Sequence, residues 1–473
     1  MPLAEDTGLR TAQAVAPVLA HAADTVGTPA YVVDATSLQW AAEQMLAAFP
    51  APWIVQYSLK ANDLPAIVAA LHGRGIGANV VSSGEWALAA AGGVPPSEVT
   101  FEGIGKTDAQ LEDAVRAAAA GTPPRWLAVE SAAETAALAA IAERHGLGAG
   151  GRPRLDILVR LNPQVQPETQ AQFAVGHEAS KFGMATAEIL ALVRSGAIGG
   201  GLRLRGIHVH AGSDLRDVGA WADAGVRAVR LLDEVRATVA GGDELNTVAG
   251  DDELNTVAGG DRGMDTVRDT VDSNTVDTVD FGGGFPIAGP GSPTPEAFAA
   301  ALAAQLAAAG LDLPRRHAIE PGRYFVGGAG FLVARVLHSR RRPPYAQQVV
   351  IDAGMTELIR PALYGSRHPV HALRAAENTA EPDVDTAVEG PVCESTDSFG
   401  IHRLPRLHRG DLVALADAGA YGASFSSRYN GRAAPVEVII TEAGDLTRCT
   451  RPDTVMPGTL RASSSQHIPP PAS

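Results

Sequence analysis

Short apolar runs alternate with helical stretches over the first two thirds of the chain. Most segments between the runs, such as 108–120 and 132–146, combine strong helix formers with apolar residues at helical spacing. This alternation predicts βα units around a parallel sheet. The eight runs are WIVQYSL (53–59), GANVV (77–81), EVTFEGI (98–104), WLAVE (126–130), LDILVRL (155–161), RLRGIHVH (203–210), TVDFGG (278–283) and HAIEPG (317–322).

The number of runs favours a (β/α)8 barrel of the TIM type. Eight strands with their helices occupy roughly 270 residues, close to the ~250 of a typical barrel. A doubly wound open sheet is the alternative that the pattern alone leaves open. We place the barrel at 36–327 and an N-terminal segment at 1–35, in which TPAYVVD (28–34) is a strand that could join the sheet of a second domain.

The pattern of apolar and polar residues changes after Gly327. Runs such as QQVVIDAGM and PVEVIITEAG are short, β-rich and separated by Gly, Pro and Asp. This spacing predicts a C-terminal antiparallel β domain, a barrel or a sandwich, at 328–460. The tail at 461–473, which contains ASSSQHIPPPAS, is predicted to be disordered.

One segment, 241–279, breaks the barrel pattern. GDELNTVAG at 242–250 is followed directly by the near-copy DDELNTVAG and then by DTVRDTV and NTVDTVD. Low complexity, high charge and no apolar period predict a solvated loop inserted between a barrel helix and the seventh strand. A tolerated surface insertion is favoured over a regulatory or partner-binding role.

Negative charge is concentrated in the same segment. The 473 residues carry a formal net charge of −15, and ten acidic residues against two arginines place −8 of it in residues 241–279. Because the chain is acidic overall and has no extended basic footprint, we expect no nucleic-acid partner and no binding to anionic membranes.

The remaining composition describes a water-soluble protein of a reducing compartment. No stretch approaches the ~18 uninterrupted apolar residues of a spanning helix. The N-terminus lacks the basic start and apolar run of a secretory signal, and Cys393 and Cys449 are too few for a disulfide framework. We therefore expect a cytoplasmic location.

Candidate chemistry falls where a barrel would place it, at the carboxyl ends of the strands. Lys60 follows the first run, where a desolvated amine can form a Schiff base with a carbonyl cofactor, although a lone lysine also fits an ordinary loop. Arg160 lies near the end of the fifth run. His208 and His210 share one face of the sixth, because strand side chains repeat every two residues.

The last two runs add an anion site and a carboxylate. The glycines at 282–284 could bind a phosphate through their amides, although glycine runs also simply turn a chain. Glu320 and Arg323, at the end of the eighth run, suit a cofactor that presents both a ring nitrogen and an anion. The combination at one rim is a stronger indication than any single motif.

With these motifs the chain resembles the fold-type III pyridoxal-phosphate-dependent decarboxylases, which have an alanine racemase-like fold, and within them the diaminopimelate decarboxylases. The resemblance covers about residues 28–440 outside the acidic repeat. It implies pyridoxal 5'-phosphate as cofactor, conversion of meso-diaminopimelate to L-lysine and carbon dioxide, and a homodimer with shared active sites. The motifs that carry it are YSLKAN, HVHAGS, DFGGGF, EPGRYFV, RPALYG, GPVCESTD and DAGAY.

The resemblance also implies a role for each motif. Lys60 would hold the cofactor covalently, His210 would stack on its ring and Glu320 would face the ring nitrogen. Cys393, entering from the neighbouring subunit, would return a proton to the substrate. Cofactor contacts would also come from Arg160, Ser213, Gly282, Gly283, Gly284, Arg323 and Tyr421. Substrate contacts would come from Arg323, Arg360, Tyr364, Glu394 and Tyr421.

Several alternatives stay open. Ser395 and Thr396 stand in CESTD where relatives more often have CESGD, which leaves ornithine, arginine, a carboxylated polyamine or an intermediate of specialised metabolism as possible substrates. A non-catalytic regulatory homologue is disfavoured because Lys60, Cys393 and Glu394 are all present. A metal-dependent barrel hydrolase places its His-x-His pair on the first strand, and no carboxylate or histidine elsewhere completes an obvious metal set here, so we expect no metal.

Overall fold

A strand and two helices precede the barrel. The computed structural model describes residues 8–165, 180–247, 275–373, 382–449, 451 and 466–468. Its first elements are α1 (Ala16–Val26), β1 (Ala30–Asp34) and α2 (Ala35–Ala48). Asp34 ends β1 and caps α2, because its carboxylate accepts the Ser37 N–H at 3.0 Å. This cap joins the strand directly to the first helix of the barrel.

Eight parallel strands close into a barrel, which confirms the prediction and rules out the open sheet. Each predicted run contains one strand, except that the strands of the sixth and eighth runs each begin one residue earlier. The first strand pairs with both the second and the last. The strands are β2 (Ile54–Ser58), β3 (Gly77–Val80), β4 (Val99–Phe101), β5 (Trp126–Val129), β6 (Leu155–Leu161), β7 (Leu202–Val209), β8 (Thr278–Asp280) and β9 (Arg316–Ile319).

Helices connect the barrel strands in the expected alternation. The segments 108–120 and 132–146 are helical as predicted. Among the described residues, no helix is both long and apolar enough to cross a membrane. The helices are α3 (Pro65–His72), α4 (Ser83–Ala91), α5 (Asp108–Ala119), α6 (Ala132–Arg144), α7 (Thr186–Arg194), α8 (Val218–Thr247), α9 (Pro295–Ala308) and α10 (Arg323–Val326).

Helix α8 extends further than the sequence pattern predicted. Its backbone continues to Thr247, so residues 241–247 of the predicted acidic loop are helical. Extending a helix that has already formed fixes one residue per added hydrogen bond, which allows a weakly patterned segment to continue it. The rest of the acidic repeat, 248–274, lies outside the described residues.

The second half of the chain forms a branched sheet of ten strands that includes β1. Its path is β14-β13-β11-β10-β1-β16-β17-β18, and β15 pairs with both β10 and β12. The new elements are β10 (Gly330–Arg342), β11 (Tyr345–Ile351), α11 (Arg360–Tyr364), β12 (Val370–Ala372), β13 (Val384–Glu389), β14 (Ser398–Leu404), β15 (Leu412–Leu415), β16 (Val436–Ile440), β17 (Leu446–Cys449) and β18 (Gln466–Ile468).

The sheet differs from the antiparallel one that was predicted. Strand β1 does join it, antiparallel to β10 but parallel to β16, and β11 runs parallel to β13. Parallel neighbours need long connections, and both pairs have them. The whole barrel separates β1 from β16, whereas α11 and β12 separate β11 from β13. The sheet is therefore mixed.

Part of the C-terminal tail is ordered. Residues 466–468 form β18, which pairs antiparallel with β17, so the prediction of disorder for 461–473 was wrong there. A sheet edge offers unpaired main-chain groups to any nearby extended segment, whatever its composition. The remaining tail residues lie outside the described part of the chain.

Candidate active site

A cavity of about 530 Å³ lies at the carboxyl ends of the barrel strands, the end of the fold where barrels place catalytic groups. The β domain forms its outer wall. The predicted site residues that line it are Lys60, Arg160, His210, Ser213, Gly283, Gly284, Glu320, Arg323, Arg360, Tyr364 and Tyr421.

Lys60 lies in a short helical turn directly after β2. Both parts of the fold hold this turn. The Tyr57 hydroxyl donates to the Asn62 carbonyl oxygen at 2.6 Å, and the Tyr421 N–H donates to the Ala61 carbonyl oxygen at 2.7 Å. The position of Lys60 therefore depends on the docking of the β domain against the barrel.

Lys60 is also the only one of the three lysines that lines the cavity. The Lys106 ammonium is buried 2.9 Å from the Glu134 carboxylate, and Lys181 is exposed. An amine that reacts with a carbonyl cofactor in this cavity must therefore belong to Lys60.

Glu320 lies just beyond the end of β9, on the floor of the cavity. Its side chain is buried, and the Asn79 amide donates to its Oε1 at 3.0 Å. Burial, followed by the charge of Glu102, raises the pKa of Glu320 well above its usual value. A cation placed beside Glu320 would favour the ionised carboxylate. A protonated ring nitrogen of a cofactor would be such a cation.

His210 follows β7 and accepts a hydrogen bond on the cavity side. The Gly283 N–H donates to its Nδ1 at 3.1 Å. Burial, followed by the charge of Lys60, lowers the pKa of His210 well below its usual value, so the ring is neutral at pH 7. With Nδ1 accepting, the proton of the neutral imidazole lies on Nε2.

The three glycines after β8 have two different roles: Gly282 forms a turn, whereas Gly283 and Gly284 line the cavity. Gly282 does not line the cavity, and its N–H donates to Asp280 Oδ1 at 3.0 Å in a left-handed conformation with φ of +69°. Gly283 and Gly284 do line it. A Cβ on Gly283 would meet the Glu320 carbonyl oxygen at 2.5 Å, and one on Gly284 would meet a carbonyl oxygen at 2.7 Å. The chain can therefore place bare backbone there and no side chain.

Cationic and hydroxyl groups surround these glycines. The Arg323 guanidinium donates to Ser213 Oγ at 3.2 Å and lies 4.9 Å from the centre of the Tyr421 ring. Hydroxyls, a guanidinium and bare glycine backbone form an anion site. Together with Lys60 and Glu320, they fit a cofactor that has an aldehyde, a basic ring nitrogen and a phosphate.

Arg360 begins α11 and brings a third guanidinium to the cavity, in addition to those of Arg160 and Arg323. Its side chain is buried, and burial together with the charge of Arg323 lowers the pKa of Arg360 to about 10. Arg360 therefore stays cationic at neutral pH. Two neighbouring guanidinium groups in one cavity favour a ligand that carries more than one negative charge.

Cys393 and Glu394 do not line the cavity of their own chain. Both are exposed between β13 and β14, as are Ser395 and Thr396. The Tyr429 hydroxyl donates to Glu394 Oε1 at 2.8 Å. In a single chain, the structure leaves these two predicted site residues outside the cavity.

Sequence reasoning missed the partners of Arg160. The Glu130 carboxylate binds the Arg160 guanidinium and accepts the Gly183 N–H at 2.9 Å, whereas the Phe182 ring lies 4.8 Å from Arg160 Cζ. Glu130 ends a predicted run, and that position at a strand end was the available signal.

Sequence reasoning also missed a buried group of acids. Glu102 and Glu320 lie beside His208, with one potential ligand atom from each residue within 4.8 Å of the others. We expected no carboxylate elsewhere to complete a metal set with the histidines, but Glu102 and Glu320 lie close enough to His208 to form such a set. The local sequence does not show this, because these residues come from strands far apart in the chain. His210 belongs to the cavity wall and not to this group.

The comparisons with known proteins agree with this geometry. Residues 36–246 match the family model described as the pyridoxal binding domain of pyridoxal-dependent decarboxylases. The diaminopimelate decarboxylase of Archaeoglobus fulgidus is 32% identical over 420 residues, 88% of each chain. The chain belongs to the diaminopimelate decarboxylase family. It is thus a pyridoxal-phosphate-dependent carboxy-lyase, and the hydrolase and non-catalytic alternatives are wrong.

Further members of the family extend the agreement. The diaminopimelate decarboxylase of Aquifex aeolicus is 30% identical over 426 residues, 89% of each chain. The crystal structure of diaminopimelate decarboxylase from Helicobacter pylori complexed with L-lysine superposes with a TM-score of 0.71 at 27% identity, covering 89% of this chain and 93% of that one. The likeness therefore includes the β domain as well as the barrel.

Proposed function

We propose that the cavity around Lys60 decarboxylates meso-diaminopimelate to L-lysine in the cytoplasm. The observation that carries this proposal is the convergence of Lys60, Glu320 and Arg360 in one cavity beside an anion site. The first two residues suit the cofactor, whereas Arg360 is a cation left for the substrate. Equal amounts of lysine and carbon dioxide from meso-diaminopimelate would support the proposal, and formation of neither would contradict it.

Each end of the cofactor has its own group of residues. Lys60 would hold the aldehyde end covalently, Gly283, Gly284 and Arg323 would hold the phosphate, and His210 would cover one face of the ring. Further phosphate contacts would come from Ser213 and Tyr421. When bound, the cofactor supplies an electron-withdrawing ring that accepts the electron pair of the breaking carbon–carbon bond.

The chain's own groups control where protons lie. An ionised Glu320 beside the ring nitrogen stabilises a proton on that nitrogen, which keeps the ring electron-withdrawing. The neutral His210 adds no competing charge on the ring face. Arg160 is held in place by Glu130 and so presents a fixed cation at the edge of the cavity.

Arg360 accounts for the preference among amino acids. meso-Diaminopimelate has a second amino-acid end with its own carboxylate, whereas ornithine and lysine end in an amine. A buried guanidinium forms strong charge-assisted hydrogen bonds with a carboxylate and repels an ammonium. Tyr364, four residues further along α11, lines the same side of the cavity.

The exposed position of Cys393 supports a homodimer. A thiol that protonates the substrate must reach the cavity, and Cys393 of the same chain does not line it. We infer that a second copy inserts its Cys393 and Glu394. There Cys393 returns a proton to the α-carbon after carbon dioxide leaves, and Glu394 binds the distal ammonium. Each site then contains Lys60 from one subunit and Cys393 from the other.

Mixing two inactive variants tests this arrangement. Lys60→Ala and Cys393→Ala are each expected to lose most activity. When the two are unfolded, mixed in equal amounts and refolded, half of the dimers contain both variants, and one of their two sites is intact. Activity should therefore return to about a quarter of the wild-type value. Mixtures no more active than the separate variants would contradict the shared site.

A further inference from the structure

Four titratable side chains meet at the cavity floor, and three of them, Glu102, His208 and Glu320, line the cavity. Glu102, Asp280 and Glu320 lie at the ends of β4, β8 and β9, and His208 lies on β7 between them. Their exposed fractions are 4%, 0%, 5% and 1%. His208 Nε2 is 3.4 Å from Glu102 Oε2 and 3.7 Å from Glu320 Oε2. Three carboxyl groups thus share a space that water barely reaches.

Three ionised carboxylates are not compatible with this burial. Burial lowers the pKa of His208, so the imidazole does not supply a balancing charge at neutral pH. The Arg160 guanidinium is bound to Glu130. Buried carboxyls this close retain protons, because two like charges a few ångströms apart cannot both ionise. The charged or titratable groups that face the cluster are Lys60, Glu102, Glu130, Arg160, His208, His210, Asp280 and Glu320.

The pKa values of Glu102 and Glu320 are shifted in opposite directions. Burial and the charge of Glu102 raise the pKa of Glu320 well above its usual value. Burial would also raise the pKa of Glu102, whereas a protonated His208 and a hydrogen bond with Glu320 lower it. When His208 is neutral, the hydrogen bond with Glu320 still favours the ionised form of Glu102. Opposite shifts in a hydrogen-bonded pair describe two carboxyls with one proton, held on Glu320 and accepted by Glu102.

We propose that Glu102 is a positioning residue that keeps one proton on Glu320 in the cofactor-free protein, ready for the ring nitrogen of the cofactor. This inference rests on the proposed function, because it takes Glu320 as the partner of that nitrogen. Asn79 fixes Glu320 Oε1 through its amide at 3.0 Å, which leaves Oε2 on the side of Glu102 and His208.

The number of protons taken up or released when the cofactor binds follows from the proton that Glu102 and Glu320 share. Glu320 would give its proton to a ring nitrogen that arrives unprotonated, and no proton from solvent would be needed. If the ring nitrogen arrived protonated, Glu320 would release its own proton to the buffer. In both cases Glu320 ends as a carboxylate beside a protonated ring nitrogen.

Glu102→Gln removes the charge of Glu102, which after burial is the largest cause that holds this proton on Glu320. The amide of the new side chain can donate to Glu320, which favours its ionised form before any cofactor binds. The variant should therefore take up one proton more, or release one fewer, than the wild type when the ring binds. The difference has the same size and sign whether the free ring is protonated or not.

Calorimetry in buffers of different ionisation enthalpy counts these protons. The probe is pyridoxine 5'-phosphate, which has the ring nitrogen and the phosphate but no aldehyde, so reaction with Lys60 does not contribute. At neutral pH, Glu102→Gln should take up about one proton more per site than the wild type. Glu437→Gln is the matched control, because its carboxyl is buried with its pKa raised to about 8 yet does not line the cavity.

The outcomes separate the two proposals. Equal proton counts for wild type and Glu102→Gln, with binding intact, would overturn the role of Glu102 and leave the proposed function standing. A change of the same size in Glu437→Gln would also overturn it. If the wild type binds neither pyridoxine 5'-phosphate nor pyridoxal 5'-phosphate, both proposals fail.

Discussion

Replacing Lys60 with alanine should remove the visible absorbance of the bound cofactor and reduce carbon dioxide release by about a thousandfold or more, which corresponds to ~4 kcal/mol or more of activation free energy. Lys60 is the only lysine on the cavity wall, so no other amine of the chain can take its place. The measurement is an absorbance spectrum of the purified variant after addition of pyridoxal 5'-phosphate, followed by an assay of carbon dioxide release.

Lys181→Ala is the matched control for this variant. Lys181 is an exposed lysine close to the cavity and does not line it. Its substitution should leave both the spectrum and the rate close to those of the wild type. An unchanged spectrum in Lys60→Ala would remove the basis for assigning the cofactor to this cavity.

Replacing Arg360 with alanine should raise the KM for meso-diaminopimelate by about 30-fold to 150-fold, from the loss of ~2–3 kcal/mol of charge-assisted hydrogen bonding to the distal carboxylate. The value of kcat should change less, because Arg360 acts on the end of the substrate away from the breaking bond. Steady-state kinetics with a saturating amount of cofactor separate the two constants. Arg360→Lys should recover only part of the loss, since an ammonium cannot bind a carboxylate in the bidentate manner of a guanidinium.

The exposed Arg367, seven residues after Arg360, supplies the control. Arg367→Ala removes the same charge from the same region and should leave the KM unchanged. An Arg360→Ala variant with a normal KM for meso-diaminopimelate and no gain towards ornithine would show that another group binds the distal carboxylate.

The barrel could be predicted because each strand carries its own signal. Runs such as 126–130 and 155–161 are mostly apolar, as strands buried on both faces are, and the helices between them have a clear period. The same pattern located the site, because the residue after each run must lie at one rim. Lys60, Glu320 and Arg323 were found in this way, with their roles taken from family resemblance.

Contacts between distant strands could not be predicted in the same way. Glu130 ends a predicted run and Glu102 lies near the end of another, but nothing in the local sequence shows that Glu102 meets Glu320 and Glu130 meets Arg160. The parallel pairing of β1 with β16 has the same cause, since the two strands lie at opposite ends of the chain. The helical conformation of residues 241–247 was not predicted. Their composition indicates low complexity, and it does not show that the helix formed by the preceding residues continues through them.

Carbon dioxide release from four amino acids offered in parallel tests the central claim most directly. The purified protein with pyridoxal 5'-phosphate would be given meso-diaminopimelate, ornithine, lysine and arginine at equal concentrations. The cavity lined by both Lys60 and Arg360 predicts that kcat/KM is highest for meso-diaminopimelate, by about 100-fold or more over the amino acids that lack a second carboxylate. A higher kcat/KM for ornithine, lysine or arginine would contradict the account.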